Sequence, residues 1–174
     1  ALRHDVPGPE AACERLGLGG EATAVVVFKT YHQPHSGKIA LARVLAGQIA
    51  DGQTLSDQRI GALLRPKGNG FDKIAKAAAG EVVGLGRMDA LKTGDALTAS
   101  GKAPESFKWP EPLTPLYALA VDAENRNDEV KLTAALAKLA EEDPSLRFSH
   151  DPDTHELLLQ GQGDIHLQIA LERL

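Results

Sequence analysis

A proline-rich stretch divides this chain into two parts with different patterns. Four prolines fall between residues 100 and 115: Pro104, Pro110, Pro112 and Pro115. Proline fixes its own φ and pushes the preceding residue into extended conformations, so this stretch cannot continue a helix or a central strand. Short β-branched runs precede it and helical spacing follows it. We therefore predict two domains joined by an extended linker at residues 102–115.

The composition indicates a globular chain in a reducing compartment. Hydrophobic residues make up 43% and charged residues 25%, which is ordinary for a chain with a packed core. The single cysteine, Cys13, rules out an internal disulfide. No apolar run approaches a membrane span, and no secretory signal opens the chain, so we expect a cytoplasmic protein without a membrane partner. Because it begins at Ala1 and its one methionine is Met88, we expect a piece of a longer protein.

Residues 21–101 contain a series of short predicted strands. β-Branched, aromatic and aliphatic residues dominate the runs at 23–31, 38–45, 54–56, 59–64, 71–76, 81–85 and 96–99. Glycine turns separate these runs. So many short strands in about 80 residues predict a small closed β-barrel, because closure removes exposed strand edges. Residues 1–20 are predicted to be a linker with a short helix at 10–18.

Residues 116–174 follow the order β-α-β-β-α. A strand at 116–121 precedes a helix that Asn125 or Asn127 can cap and that Pro144 ends. A hairpin over 146–160 and a helix after Gly163 complete the pattern. This is one strand short of the ferredoxin-like βαββαβ unit. We predict a truncated ferredoxin-like sandwich with an exposed sheet edge.

The two parts carry opposite charge. Lys and Arg exceed Asp and Glu by 3 in residues 21–101, whereas the acidic residues exceed the basic ones by 7 in residues 102–174. The first part could face a phosphate backbone, although an excess of 3 is also compatible with no such partner. The candidates for phosphate contact are Lys38, Arg43, Arg59, Arg65, Lys67 and Lys73. We interpret the acidic run at 141–143 as a solvated face rather than a site for a basic partner.

Several motifs that could carry chemistry have simpler interpretations. His32 and His35 flank Pro34 in a predicted loop, and no further Cys/His pair supports a metal. Gly161 and Gly163 open a helix, but Asp164 in its first turn would repel phosphate, which favours a structural turn. His166 lies between apolar residues and is predicted to be packed and hydrogen-bonded. The chain contains no phosphate-binding loop and no persuasive Ser/His/Asp set, so we predict no catalytic activity.

Several segments, in the same order, resemble the second and third domains of elongation factor G, a translational GTPase. In the first part they lie at 28–30, 37–39, 43–47, 79–81 and 93–97, and in the second part at 134–144 and 161–167. The chain departs from the family at 87–90, where the family usually has Gly-Leu-Lys-Asp, and at Gly84 and Gly86, where branched or small apolar residues are expected. These departures indicate a divergent elongation factor G-like member.

The resemblance implies a ribosome-docking and coupling role in translation. It implies a barrel that docks on the RNA and protein of the small ribosomal subunit and against the GTPase domain of the same chain. It also implies a third domain that couples to nucleotide state, with residues 161–166 shaping a helix entry between domains. GTP and Mg²⁺ would bind in a missing domain, and this chain would need no cofactor. The alternatives are a ribosomal protection or release-type GTPase, or a barrel with a non-ribosomal partner.

Overall fold

The computed structural model describes residues 8–33, 37–68, 70–123 and 125–174. The chain divides into two compact units, the first ending at Pro110 and the second beginning at Glu111. No helix among the described residues is long and apolar enough to cross a membrane.

The described residues of the first unit form one short helix and ten strands. In chain order they are α1 (Pro9–Arg15), β1 (Ala24–Gln33), β2 (Gly37–Ala46), β3 (Gln48–Ala50), β4 (Thr54–Leu55), β5 (Gln58–Arg59), β6 (Ala62–Lys67), β7 (Gly70–Lys73), β8 (Lys76–Ala78), β9 (Val82–Gly86) and β10 (Ala96–Thr98). The predicted run at 59–64 spans β5 and β6, and the run at 71–76 spans β7 and the start of β8. β3 was not predicted.

Six of these strands form one antiparallel sheet in the order β10-β1-β2-β9-β6-β7, and the pairs β3-β8 and β4-β5 form two small ladders. Within the described residues, β10 and β7 end the large sheet and no ladder joins them. The mostly β architecture is therefore as predicted, whereas closure into a barrel stays a prediction.

One hydrophobic core is shared by the large sheet and both small ladders. Its members include Val44, Ile49, Leu55, Leu63 and Leu85. Because successive side chains of a strand point to opposite faces, these residues define the inner side of the sheet. The large sheet therefore has a separate outer face, part of which is itself buried: Val26 and Leu45 pack in a second cluster, and Ile39 is 1% exposed.

A second, smaller core lies under α1. Cys13 and Leu18 pack there with strand residues of β1 and β2, and Phe107 and Trp109 pack against the same cluster. The helix predicted near residues 10–18 is thus present as α1. Part of the predicted linker at 102–115 also contributes to the packing of the first unit, because two of its aromatic side chains are used there.

The second unit contains a three-stranded sheet and two α-helices. Its elements are β11 (Tyr117–Val121), a 3₁₀ turn (Arg126–Asp128), α2 (Glu129–Glu142), β12 (Arg147–His150), β13 (Leu157–Gly161) and α3 (Asp164–Glu172). The sheet order is β11-β13-β12, with β13 antiparallel to both neighbours. Both helices bury leucines against it, including Leu136 and Leu167. This is the predicted β-α-β-β-α order.

One local prediction in this unit is wrong. The residue at the N-cap of α2 is Asp128, and it makes no side-chain capping hydrogen bond. Asn127, one of the two predicted caps, lies instead within the preceding 3₁₀ turn. The extra turn satisfies part of the helix start by i to i+3 geometry, so a side-chain cap is not required there.

Candidate functional site

The outer face of the large sheet can be read from its register. In β2, Ala40, Ala42 and Val44 belong to the core, so Ile39, Leu41 and Arg43 face away from it. Directly paired residues of antiparallel strands share a face. The register therefore places one row across five strands, and its members are Lys29, Leu41, Gly84, Leu64 and Lys73. A lysine lies at each end of this row.

Apolar residues and cations make up this outer face. A second row contains Tyr31, Ile39, Gly86 and Ala62, and Arg43 pairs with Val82 beyond the first row. The Lys29 ammonium lies 5.7 Å from the centre of the Tyr31 ring, which is within cation–π range. Among the described residues of these rows there is no Asp or Glu. We call Lys29, Arg43 and Lys73 the outer-face cations.

Glycine occupies two positions at the centre of the outer face, Gly84 and Gly86. A Cβ added at Gly84 would lie 3.1 Å from Ile39 Cγ2 and 3.1 Å from Phe71 Cε1. The Phe71 ring on β7 therefore covers the backbone of β9, two strands away in the sheet order. This contact gives a packing reason for Gly84, one of the positions where the chain departs from the family pattern.

Three of the predicted phosphate contacts lie on the β6–β7 hairpin, and each has a carboxylate partner. Arg65 meets Glu81 at 2.7 Å, Lys67 meets Asp72 at 3.2 Å, and Lys73 meets Asp51 at 3.0 Å. All three basic side chains are more than half exposed. Exposed pairs of this kind contribute about 0–1 kcal/mol, so a phosphate could replace the carboxylate at little cost.

The carboxylates of these pairs are held in their charged form. A backbone N–H from Ala78 and then the Arg65 guanidinium lower the pKa of Glu81 below its ordinary value. The Lys73 ammonium is the main cause that lowers the pKa of Asp51, and the Leu63 N–H adds to it. Both acids are therefore ionised at neutral pH, and they offset part of the positive charge of the hairpin.

The six predicted cations do not form one cluster. Arg65 and Lys67 lie two and four residues after the buried Leu63, so their side chains lie on the same side of β6 as Leu63. This is the side opposite the outer face. Arg59 is exposed on β5, in a separate ladder. Arg43 and Lys73 share the outer face with Lys29, which the sequence reasoning missed. An alternation of Lys29 and Tyr31 was visible in the sequence, but only the strand register shows what lies beside them.

Lys38 departs from the expected role of a surface cation. Only 6% of this residue is exposed, and its ammonium donates a hydrogen bond to the Asp89 carbonyl oxygen at 3.0 Å. A buried cation with a backbone partner ties two segments of the fold together. The burial of Lys38 and this hydrogen bond give it a structural role, and we therefore expect it to contact phosphate less readily than the other predicted cations.

In the second unit, Asp143 and His166 join the end of α2 to the start of α3. His166 Nε2 lies 3.2 Å from Asp143 Oδ2, and His166 Nδ1 accepts a hydrogen bond from the Gln162 N–H at 3.1 Å. Because Nδ1 is an acceptor, the proton of the neutral ring lies on Nε2 and points at the carboxylate. The expected packed, hydrogen-bonded histidine is what the structure contains.

Ser145 completes this network on the other side of the carboxylate. Its backbone N–H and its hydroxyl both donate to Asp143 Oδ1, at 2.9 and 2.6 Å. Burial of the Asp143 carboxyl raises its pKa and is the largest single influence, but the bonds from Ser145 and His166 together outweigh it and lower the pKa. The carboxylate therefore stays charged at neutral pH.

This network is structural, although it contains the residue types of a hydrolytic triad. In such a triad the histidine contacts the serine hydroxyl and removes its proton. Here Asp143 lies between Ser145 and His166, and both His166 ring nitrogens already have partners. The arrangement leaves no base to activate the serine. Among the described residues there is also no cluster of three or more His, Cys, Asp or Glu that could hold a metal ion.

The acidic run at the end of α2 is only partly the solvated face that the sequence suggested, because Glu141 is exposed and the two residues after it are not. Glu142 is buried, and its carboxylate pairs with the Arg173 guanidinium at the end of α3. Asp143 is partly buried in the network with His166. Each of these two carboxylates has a partner from the α3 region, and this compensates for acidic charge at a helix C-terminus.

The two glycines before α3 have different roles. A Cβ at Gly161 would lie 2.7 Å from Leu167 Cδ2 and 3.0 Å from His166 Nδ1, so any side chain there would force these packed neighbours to shift. Gly163 is extended, with φ 171°, and has open space where a Cβ would be. Asp164 is exposed in the first turn of α3, where it accepts a hydrogen bond from Gln168. Of the predicted turn residues, Gly161 and His166 belong to the packed network.

Two family profiles match the chain, one in each unit. Residues 22–100 match the family described as elongation factor G domain 2, and residues 112–174 match elongation factor G, domain III.

Curated relatives extend this similarity over almost the whole chain. An elongation factor G-like protein of Synechocystis is 42% identical over 99% of the chain, and elongation factor G 2 of Streptomyces coelicolor is 36% identical over 87%. The matched regions are 26% and 23% of those proteins, so the chain spans about a quarter of their length. A crystal structure of a Thermus thermophilus protein matches 97% of the chain and 26% of its own length, with a TM-score of 0.81 and 33% identity.

Proposed function

The chain belongs to the elongation factor G family, and from that membership we propose that it is the ribosome-docking and coupling part of a translational GTPase. The first unit docks on RNA and protein of the small ribosomal subunit in the cytoplasm. GTP and Mg²⁺ bind in a GTPase domain elsewhere in the longer protein, and this part performs no chemistry of its own. Its task is to convert nucleotide state into ribosome affinity.

The outer-face cations are the observation that carries the proposal. Lys29 and Lys73 bracket a row of apolar residues and glycine, with Arg43 beside it. The described rows contain no Asp or Glu of their own, and the carboxylate that pairs with Lys73 at 3.0 Å, Asp51, lies outside them. A sheet face with separated cations fits a phosphate backbone, because RNA helices are bound mainly through shape and backbone. Tyr31 is the one aromatic residue of the described rows, and a single ring offers little for stacking successive bases, so contact with the phosphate backbone is favoured over stacking of unpaired bases.

The second unit supports the coupling half of the proposal. Its acidic charge is unsuited to RNA over most of its surface. Its helices are instead locked to each other by the Asp143–His166 and Glu142–Arg173 pairs. A unit whose two helices move as one body can transmit a displacement, whereas a loosely packed unit would absorb it. We infer that the nucleotide state of the GTPase domain acts on this unit.

A binding experiment with the chain itself tests the docking half. Purified small ribosomal subunits are titrated with the wild type and with the double variant Lys29→Gln/Lys73→Gln at several salt concentrations. The control is Lys76→Gln/Lys102→Gln, which removes the same charge from two exposed lysines that are not outer-face cations. Each lost phosphate contact lowers the slope of log affinity against log salt by about 1, so the outer-face variant should lose about 2. Equal slopes for all three proteins would contradict the docking face.

Ribosome co-sedimentation of the longer protein tests the coupling half. It is measured with a non-hydrolysable GTP analogue, with GDP and with neither. Pelleting that depends on the analogue would support a working translational GTPase. Equal pelleting in all three states would contradict coupling, and no pelleting in any state would contradict docking on the ribosome.

A further inference from the structure

The first unit contains an open cleft beside α1, away from the rows of the outer face. Its volume is about 470 Å³. The lining residues are Ala12, Arg15, Leu16, Lys108, Trp109 and Pro110. None of them is an outer-face cation, so the cleft and the docking face can be tested separately.

The walls of the cleft are held in place by the packing beneath them. The indole of Trp109 lies on the backbone of Gly94, where an added Cβ would be 2.7 Å from Trp109 Cδ1. Gly94 has φ +96° and donates its N–H to the Val27 carbonyl at 2.8 Å, so the backbone on which the indole lies is bonded to β1. The opposite walls are joined directly, because the Lys108 N–H donates to the Leu16 carbonyl at 3.1 Å. The cleft is therefore preformed.

The charge of the cleft has one sign. Arg15 and Lys108 line it, and neither side chain has a hydrogen-bond or ion-pair partner among the described residues. The acidic residues of α1, Glu10 and Glu14, are not among the lining residues. The rest of the lining is apolar: one aliphatic side chain of α1, the leucine that follows this helix, the proline and the indole. A ligand that fits should combine a bulky apolar group with negative charge on its flanks.

We propose that this cleft binds an acidic peptide segment that carries a bulky apolar side chain. The apolar side chain would lie against Trp109 and Leu16, and flanking carboxylates would meet Arg15 and Lys108. A nucleic-acid base is the less suitable occupant, because its edge needs hydrogen-bonding partners and the lining offers no uncharged polar side chain other than the indole N–H. This protein-binding role does not depend on ribosome docking by the outer face.

The single tryptophan of the chain lies in the cleft and reports its occupancy. The probe is a pool of end-blocked peptides of the form Asp-Glu-X-X-X-Asp-Glu, in which X is Leu, Ile, Phe or Met. A matched pool replaces the acidic residues by lysine, a third replaces X by serine, and an oligouridylate represents RNA. Trp109 emission of the whole chain is recorded during each titration, at low and high salt.

The acidic apolar pool should shift the emission to shorter wavelength in a saturable way, with half-saturation at about 10–500 µM, as expected for short peptides without preorganisation. The variant Arg15→Gln/Lys108→Gln keeps Trp109 and should bind at least about tenfold more weakly, whereas Lys76→Gln should bind as the wild type does. Circular dichroism melts of the variants show whether both remain folded; both altered residues of the double variant are exposed.

Three results would overturn the proposal. The first is no saturable change at about 1 mM peptide, which is the weakest affinity expected of a specific short ligand. The second is equal binding of the lysine pool or the serine pool, because the cleft would then not select charge or apolar character. The third is saturation by oligouridylate at lower concentration than by any peptide pool, which would identify the cleft as a nucleic-acid site.

Discussion

The Phe71 ring covers the backbone of Gly84, so that a single added carbon on β9 would meet it at 3.1 Å. The contact packs a side chain of β7, an edge strand of the large sheet, onto the outer side of β9. It also accounts for a glycine within a strand, which otherwise costs stability through lost packing and greater backbone freedom.

Replacing Gly84 by valine should destabilise the first unit by about 1–3 kcal/mol, because the side chain would collide with both Phe71 and Ile39. Gly86→Ala is the matched control on the same strand, since its Cβ would make an ordinary contact of 3.4 Å with Ala62. Urea denaturation gives both values. If Gly84→Val costs no more than Gly86→Ala, the ring does not define this position.

Gly161 and Gly163 should respond differently to alanine. A Cβ at Gly161 meets the buried Leu167 side chain at 2.7 Å, so Gly161→Ala should cost about 1–3 kcal/mol in the free energy of unfolding. Gly163→Ala has open space and an extended backbone, and it should be neutral or stabilising by a few tenths of a kcal/mol because the unfolded chain loses freedom. Thermal unfolding of the two variants distinguishes these outcomes, and equal losses would show that the turn needs both glycines.

The Asp143 network should make stability depend on pH in one direction. The pKa of Asp143 is lowered on folding, so its contribution is present above the unfolded value of about 3.9 and is lost as the pH falls through the folded value. Asp143→Asn should therefore destabilise the second unit by about 1 kcal/mol at pH 7. The expected loss is small because about a third of the Asp143 side chain is exposed and solvent screens its interactions.

This prediction is checked by urea denaturation of the wild type and of Asp143→Asn at three pH values. These are about pH 7.0, 5.5 and 3.0, which bracket the titration of a carboxylate. The difference in the free energy of unfolding should persist at the two higher values and shrink at the lowest. Asp153→Asn alters an exposed acid outside this network and serves as control. A difference that grows as the pH falls would contradict the assigned sign.

Lys38 should behave as a structural residue rather than as a binding residue. Lys38→Met removes the bond to the Asp89 carbonyl from a site that is 6% exposed, and it should cost about 1–3 kcal/mol of stability. The salt dependence of ribosome binding should stay unchanged, because the ammonium is not accessible to phosphate. A lower salt slope with unchanged stability would restore Lys38 as a phosphate contact.

Charge reversal of Arg65 and Lys67 tests the hairpin as a second RNA contact. Arg65→Glu/Lys67→Glu should weaken binding to small subunits and lower the salt slope if phosphate replaces Glu81 and Asp72. Glu81→Gln and Asp72→Asn remove the competing carboxylates and should strengthen binding slightly. Unchanged affinity and slope in the reversal variant would leave the outer-face cations as the proposed RNA contact.

Local sequence patterns predicted most strands because β-branched runs and glycine turns act over a few residues. β3 was not predicted, because the residue at which it starts is set by a tertiary contact. Gly47 adopts φ +70°, and a Cβ there would overlap the Ala22 carbonyl, so the chain breaks β2 from β3 at that residue. No sequence pattern within Gln48–Ala50 predicts a separate strand.

The candidate surface was harder to predict, because the face of the sheet on which a side chain lies depends on the register between paired strands. The shift between Val27 and Lys29 changes which side of β1 each later residue occupies. Lys29 therefore joins the face of Lys73, which is 44 positions away in the printed sequence. Burial of Lys38 and of Glu142 likewise depends on distant partners, whereas charge counting treats every Lys or Glu as exposed.

The contact between Gly17 and Ser106 has a mechanical consequence. A Cβ at Gly17 would overlap the Ser106 carbonyl, and the Ser106 hydroxyl donates to the Gly17 carbonyl at 2.6 Å, so the segments that lead into and out of the strands touch. A tension applied across the first unit from α1 to Pro110 would act first on the Gly17–Ser106 contact and on the neighbouring Lys108–Leu16 hydrogen bond. The strands lie in the loop that these two contacts close, so they would carry little force until the contacts open. The proposed docking face would therefore keep its shape while the chain on either side of it is pulled.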